Sequence, residues 1–263
     1  MIIDFHTHIF PERIAERAMY SLGSSSGFLP VSDGTYKGLK NSMNQAGVDK
    51  SVVLGIATNA HQQASVNDYL ISLKSDEDII PFGSVYPDAP DAIEELERIK
   101  AAGLKGIKLH PEYQQFFVDD EKMKPIYKKA SELGLIVVFH AGYDYGYPAP
   151  YHCMPENLKN ALIWLDTPVV AAHFGGQNCT EGVLNTLCGI ESLYFDISFG
   201  YSTIAKPTAE KIIEKHGLDH ILFGSDSPWH NPAWEKHMVE NFNLTEEEKE
   251  KIFCKNAVKL LNI

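Results

Sequence analysis

Cysteine is scarce in this chain: four among 263 residues, Cys153, Cys179, Cys188 and Cys254, with no CxxC pair. That excludes a disulfide framework and fits free thiols in a reducing compartment. Long apolar runs are missing too, and none approaches the roughly 18 residues that a membrane span requires. The N-terminus, Met1-Ile-Ile-Asp-Phe-His6, lacks the basic start and apolar stretch of a signal peptide, so a cytoplasmic location is expected. Positive charge is in deficit: 23 Lys+Arg stand against 35 Asp+Glu, for a formal net charge of −12. This balance argues against nucleic acid or an anionic membrane as the main partner and leaves a small molecule as the expected one. Low-complexity sequence is confined to Gly23-Ser-Ser-Ser-Gly27, read as part of a long loop after the first strand, either a mobile lid or a surface excursion. There is no recognisable internal repeat.

What the chain does have is alternation. Short runs rich in Val, Ile and Phe recur at Ile2–His8, Ser51–Ile56, Ile79–Val85, Leu104–His110, Leu135–His140, Val169–His173, Leu193–Ile197 and His220–Ser225. Amphipathic stretches lie between them. Ala89–Ala102 places Ala92, Ile93, Leu96 and Ile99 at helical spacing before Gly103, and Lys122–Leu133 likewise ends at Gly134. Thr245-Glu-Glu-Glu248 is a capping-box pattern opening the last helix, and the carboxylates Glu246–Glu250 suit a solvated helix start. Strands apolar on both faces, each followed by a helix, imply a parallel sheet covered by helices. Eight such units in about 250 residues predict a single (β/α)8 TIM barrel domain over residues 1–263, with an open doubly wound sheet as the runner-up.

Five of the eleven histidines close predicted strands: His6, His8, His110, His140 and His173. A parallel barrel gathers all C-terminal strand ends on one face, so these five are expected to converge. In His6-Thr7-His8 the imidazoles share one side of the strand, and two neutral imidazoles held so suit a divalent ion such as zinc. His140 closes the apolar run Leu135–Phe139 and is placed as a third ligand. His173 precedes Gly175-Gly176, where the backbone admits a ligand closely. Asp226, after the apolar end of strand eight, has to be paired or metal-bound to be tolerated, unless it caps the following helix. His61, His216, His220 and His237 lie in or beside helices or at a strand start and read as structural or solvated.

An HxH pair on strand one, His on strands five and six and Asp on strand eight resemble the amidohydrolase superfamily. The closest likeness is to its amidohydrolase-2 branch, the aminocarboxymuconate-semialdehyde decarboxylase-like metal-dependent enzymes. The resemblance runs from Ile3-Asp-Phe-His-Thr-His8 to Lys255-Asn-Ala257. It implies one divalent metal ion, commonly zinc, held by His6, His8, His140 and Asp226, with Asp226 also handling a proton and His173 a catalytic partner beside the bound water. Such an ion can lower the pKa of bound water from about 16 to near 7. A carboxylate such as Asp226 can then move a proton, and an imidazole such as His173 can stabilise a developing oxyanion.

Strand four leaves alternatives open. Lys108 and His110 share parity and can both face the mouth, with Pro111 keeping His110 extended. The segment resembles dihydroorotase-like members in which a carboxylated strand-four lysine bridges two metals. Alternatively, Lys108 remains an ammonium that attracts an anionic group of the substrate. The aromatic loop Tyr143–His152 suits a wall around an organic substrate, or a subunit contact in a homodimer, and Trp229 is expected in the same pocket. The expected activity is hydrolysis of an amide, ester or lactone by a metal-activated water. The second reading is non-oxidative decarboxylation of a small carboxylated, aromatic or muconate-like substrate. Several decarboxylases of the branch carry glutamate in place of the first HxH histidine, and His6 departs from that version. A barrel that only binds a metabolite is a third reading.

Overall fold

Val, Ile, Leu and Phe dominate eight short segments, and each becomes a strand because both of its faces can be buried. They are β1 (Ile3–Thr7), β2 (Lys50–Leu54), β3 (Ile79–Phe82), β4 (Gly106–Leu109), β5 (Ile136–Phe139), β6 (Val169–Ala171), β7 (Leu193–Asp196) and β8 (Ile221–Leu222). The computed structural model describes residues 1–263. All pairings are parallel, in the orders β1-β2-β3 and β4-β5-β6-β7-β8. Two parallel bridges, Gly83 with Ile107 and Thr7 with Ser227, join these arcs. Phe5 N donates to Phe223 O at 2.8 Å across the second seam. The sheet is therefore closed, and the open doubly wound alternative is set aside.

Alternation along the strands sorts the core into two parts. Ile3, Phe5, Val52, Leu54, Phe82, Ile136, Val138, Val170, Tyr194 and Leu222 fill one cluster, with Ala257 and Leu261 of the C-terminal helix closing it. Val53, Ile107, Leu109, Val137, Phe139, Val169, Ala171, Phe195 and Ile221 belong to the larger cluster, which also holds the helices' buried faces. In β1 the register slips: Asp4 pairs with Ser51 but Thr7 with Val53, so three steps of β1 span two of β2. This bulge reconciles Ile3 and Phe5 in the inner core with His6 and His8 at the mouth, because an extra residue re-aims those that follow.

Two expectations change. Gly23-Ser-Ser-Ser-Gly27 is not loop: residues through Ser26 form the last turns of helix Glu12–Ser26, which Gly27 ends in a left-handed conformation at φ 78°. The buried face Ala15, Met19 and Gly23 overrides the weak helix propensity of that serine run. His220 belongs to a tight turn, Leu218–His220, rather than to a strand start. The last helix does begin with the reciprocal Thr245–Glu248 capping box, but a π-turn at Lys251–Lys255 interrupts it before Asn256–Leu261.

Candidate metal centre

His6 and His8 reach the mouth from β1 and the residue just beyond it. Their ring orientations follow from what lies behind them. His6 Nδ1 donates to Asp196 Oδ2 at 2.9 Å. His8 Nδ1 donates to the Leu54 carbonyl at 2.8 Å, and a carbonyl can only accept, so the proton of neutral His8 resides on Nδ1. Both Nε2 atoms are then bare, and they face each other at 3.1 Å. Asp226 Oδ1 closes the set at 3.2 Å from His8 Nε2 and 3.5 Å from His6 Nε2. Three lone pairs aimed at one point repel one another unless a cation lies among them, and the one flanking donor, Lys108 Nζ, reaches only His6 Nε2, at 3.4 Å. The three donor atoms lie within 4.8 Å of one another, and imidazole and carboxylate are ligands a divalent ion takes. These residues fit a metal ion.

Asp226 has a left-handed backbone, φ 68°, which turns its carboxylate toward the histidines. It does not cap the next helix; Asn231 does, through its side chain to Ala233 N. Burial alone would raise the Asp226 pKa, but His6 and His8 beside it reverse this and hold it below the usual carboxylate range. Asp196 is kept ionised in the same way, burial being outweighed by His6. The histidines go the other way. Burial, reinforced by the Lys108 charge, lowers His6, and burial with His140 nearby pushes His173 down to about 3. Neutral imidazoles between ionised carboxylates are the state a metal requires.

His140 stands slightly apart. Its Nε2 donates to Tyr143 O at 3.2 Å, leaving Nδ1 bare and 3.1 Å from His173 Nε2. His173 Nδ1 is occupied by Ser198, with Oγ at 2.9 Å and the carbonyl at 3.3 Å. A second pair of bare nitrogens therefore faces the mouth beside the first. The set His110, His140 and Asp144 also lies within 4.8 Å, yet its protons point inward. His110 Nδ1 accepts from Tyr113 N, so its Nε2 carries the proton and aims it at Asp144 Oδ2, 3.4 Å away. That set is a hydrogen-bonded cluster rather than a cage for a cation.

Lys108 is fully buried, with Nζ 3.4 Å from His6 Nε2. Burial lowers its pKa to about 8, while Asp196 and Asp226 favour the charged form. Lys108, His110, Tyr143 and Trp229 line one cavity of about 510 Å³ with His6, His8, His140, His173 and Asp226. Every expected site residue thus faces the same space. Asp196, Ser198 and Asp144 were not singled out from the sequence. Asp196 carries the signal that marked Asp226, a lone carboxylate closing an apolar strand, and the same desolvation argument applies to it.

Solved structures resemble this one along nearly their whole length. An uncharacterised TIM-barrel protein of Bordetella bronchiseptica superposes with TM-score 0.78 at 20% identity, covering 99% of this chain and 98% of its own. 5-Carboxyvanillate decarboxylase of Sphingomonas paucimobilis gives 0.74 at 14% identity, covering 100% and 99%. A dihydroxybenzoic acid decarboxylase of a Polaromonas species, with bound manganese and the inhibitor 2-nitroresorcinol, gives 0.73 at 16% identity, covering 99% and 96%. These likenesses establish the barrel fold. Among curated proteins the sequence matches none. The family model described as amidohydrolase matches residues 3–263, and the chain belongs to this family of metal-dependent enzymes.

Proposed function

We propose that the protein is a non-oxidative decarboxylase of a small aromatic carboxylate, dependent on one divalent ion held by His6, His8 and Asp226 with His140 alongside. The observation that carries this reading is the composition of the cavity. A buried cation, Lys108, stands beside the three-acceptor cluster, and Phe28, Tyr113, Tyr143, Tyr145, Phe199 and Trp229 line the space around it. A flat, carboxylated ring matches both parts: its anion meets the ammonium and its faces meet aromatic walls. The similarity in fold to 5-carboxyvanillate and dihydroxybenzoic acid decarboxylases supports the choice over hydrolysis.

When bound, the ion supplies a positive centre that polarises a coordinated oxygen of the substrate. The chain's own groups do the rest. Decarboxylation replaces a C–CO2⁻ bond by C–H, so one proton must reach carbon as carbon dioxide leaves. Asp226, held ionised, accepts a proton from the substrate's acidic hydroxyl or from solvent and then delivers it to the ring carbon. Neutral His173, oriented by Ser198, presents Nε2 beside the reacting group. Imidazole and carboxylate ligands suit zinc or manganese.

Hydrolysis of an amide, ester or lactone is the second reading, favoured by His6, which keeps both imidazoles of HxH intact. The test is turnover of a hydroxybenzoate panel and of an ester, amide and lactone panel by metal-loaded protein. Released carbon dioxide from the first alone supports decarboxylation; cleavage of the second alone establishes the hydrolase. Metal counting accompanies it, with one ion per chain expected and unchanged in Lys108→Ala, whose Michaelis constant for an acidic substrate rises. Two ions, falling to one in that variant, would show a carboxylated Lys108 bridging them.

A further inference from the structure

The cavity, about 510 Å³, holds more than a single benzoate ring, and part of its wall has a different chemistry. Helix Glu12–Ser26 presents two apolar stripes. Ala15, Met19 and Gly23 are buried, with Met19 against Gly34 and Gly23 against Phe28 and Pro30 in the following loop. Ile14, Ala18 and Leu22, spaced four apart on another face, line the cavity instead and are left partly open. Helix Ala60–Ser72 contributes Val66, Tyr69 and Leu70 to the same lining, with Gln62 and Ser65 as its polar members. Gly55, between this helix and the mouth, permits the close approach: a Cβ there would sit 2.4 Å from Leu70 and 3.0 Å from Val66. The charged side chain on this wall, Arg13, is exposed to solvent. Apolar side chains lining an open cavity that is continuous with a reaction centre bury apolar ligand surface.

The geometry points to a substrate with two ends: a carboxylated head at the His6–His8–Asp226 cluster and an apolar tail, several carbons long, between the helices Glu12–Ser26 and Ala60–Ser72. The head rests on the decarboxylase reading above; the tail site does not. Ala18 keeps the channel open, since its small side chain lies between Ile14 and Leu22 on the lining stripe.

Calorimetric titration of the full-length, manganese-loaded protein with benzoate and its para-methyl, para-propyl and para-hexyl derivatives tests this, with n-propanol and n-hexanol as neutral probes. Affinity should rise about 3- to 4-fold per methylene, the increment for burying one. Ala18→Phe, which fills the channel, and Leu22→Asp, which makes it polar, should flatten the series; thermal melts show which of them fold, and either one suffices. A rise in both series without preference for the benzoates keeps the tail site and removes the carboxylate head. Affinity independent of chain length in the wild type, or a rise that persists in a folded variant, overturns the tail site.

Discussion

His6 shows how one side chain's chemistry depends on a neighbour 190 residues away in sequence and two strands away around the barrel. Its Nδ1 proton is held by Asp196, itself fixed by donors from Ser198 N and Ser198 Oγ and from His173 N. Without that carboxylate the ring is free to take the other tautomer, putting a proton on the nitrogen that faces His8. Asp196→Asn is therefore expected to weaken divalent-ion binding about 10- to 100-fold, the usual cost of losing such an outer partner. Competition titration of zinc against a chromophoric chelator measures it; unchanged affinity would falsify the tautomer argument. The gathering of His6, His8 and Asp226 was legible in the sequence from their strand-end positions and the shared parity of the two histidines, but the β1 bulge that aims both rings into the mouth was not. Asp196 closes an apolar run just as Asp226 does, but that it and Ser198 meet His6 depends on β7 standing one strand, β8, away from β1, a fact of closure rather than of local pattern.

At the scale of elements, what the sequence reveals depends on how local the cause is. Strands β4 to β7 follow from apolar runs bounded by glycine or polar residues, and the structure places them inside the expected limits. The capping box at Thr245 is local and is present. Helix Glu12–Ser26 was hidden because its stabilising contacts come from the loop that follows it, and the β1 bulge because it is defined only by its partner strand. His216, in the last turn of helix Lys206–His216, illustrates a contest between two local rules. The helix C-terminus favours an imidazolium there. Burial wins and lowers its pKa to about 4, with the ring stacked 3.7 Å from Phe195, Nε2 donating to Leu193 O and Nδ1 accepting from Gly189 N. Between the unfolded value of 6.5 and about 4 the unfolded chain binds a proton that the folded one refuses, so stability is full above pH 6.5 and declines as pH falls through this window. His216 contributes at most about 3 kcal/mol to that decline. His216→Gln, which can keep both hydrogen bonds, should show a shallower loss in urea unfolding between pH 7 and pH 5. An identical pH slope in both proteins would assign the decline to other groups.

For the whole molecule the placement of the acceptor cluster matters as much as its chemistry. His6 and His8 come from β1 and Asp226 from the end of β8, so the cluster straddles the seam where the barrel closes. Around the cluster the two sides are joined by His8 N to Ser227 O at 2.6 Å and Asp226 N to His6 O at 2.8 Å, with the Phe5–Phe223 bond below. An ion among the three side chains would link the first and last strands directly and would offset the repulsion of their lone pairs. It binds the folded barrel and not the unfolded chain, where the ligands are some 220 residues apart, so its contribution follows the mass-action relation. At free ion one hundred times its dissociation constant that amounts to about 2.7 kcal/mol. For a chain of this size, the melting temperature then falls by about 5 to 10 °C on chelation and recovers when zinc or manganese is restored. The His6→Ala/His8→Ala double variant should melt at one temperature with or without added ion, because the seam keeps its backbone bonds and the Asp4–Ser225 side-chain bonds but loses both imidazole ligands. Scanning calorimetry of both proteins, with elemental analysis of each sample, decides the matter: a chelator-sensitive melt in the double variant would place the stabilising ion elsewhere in the fold.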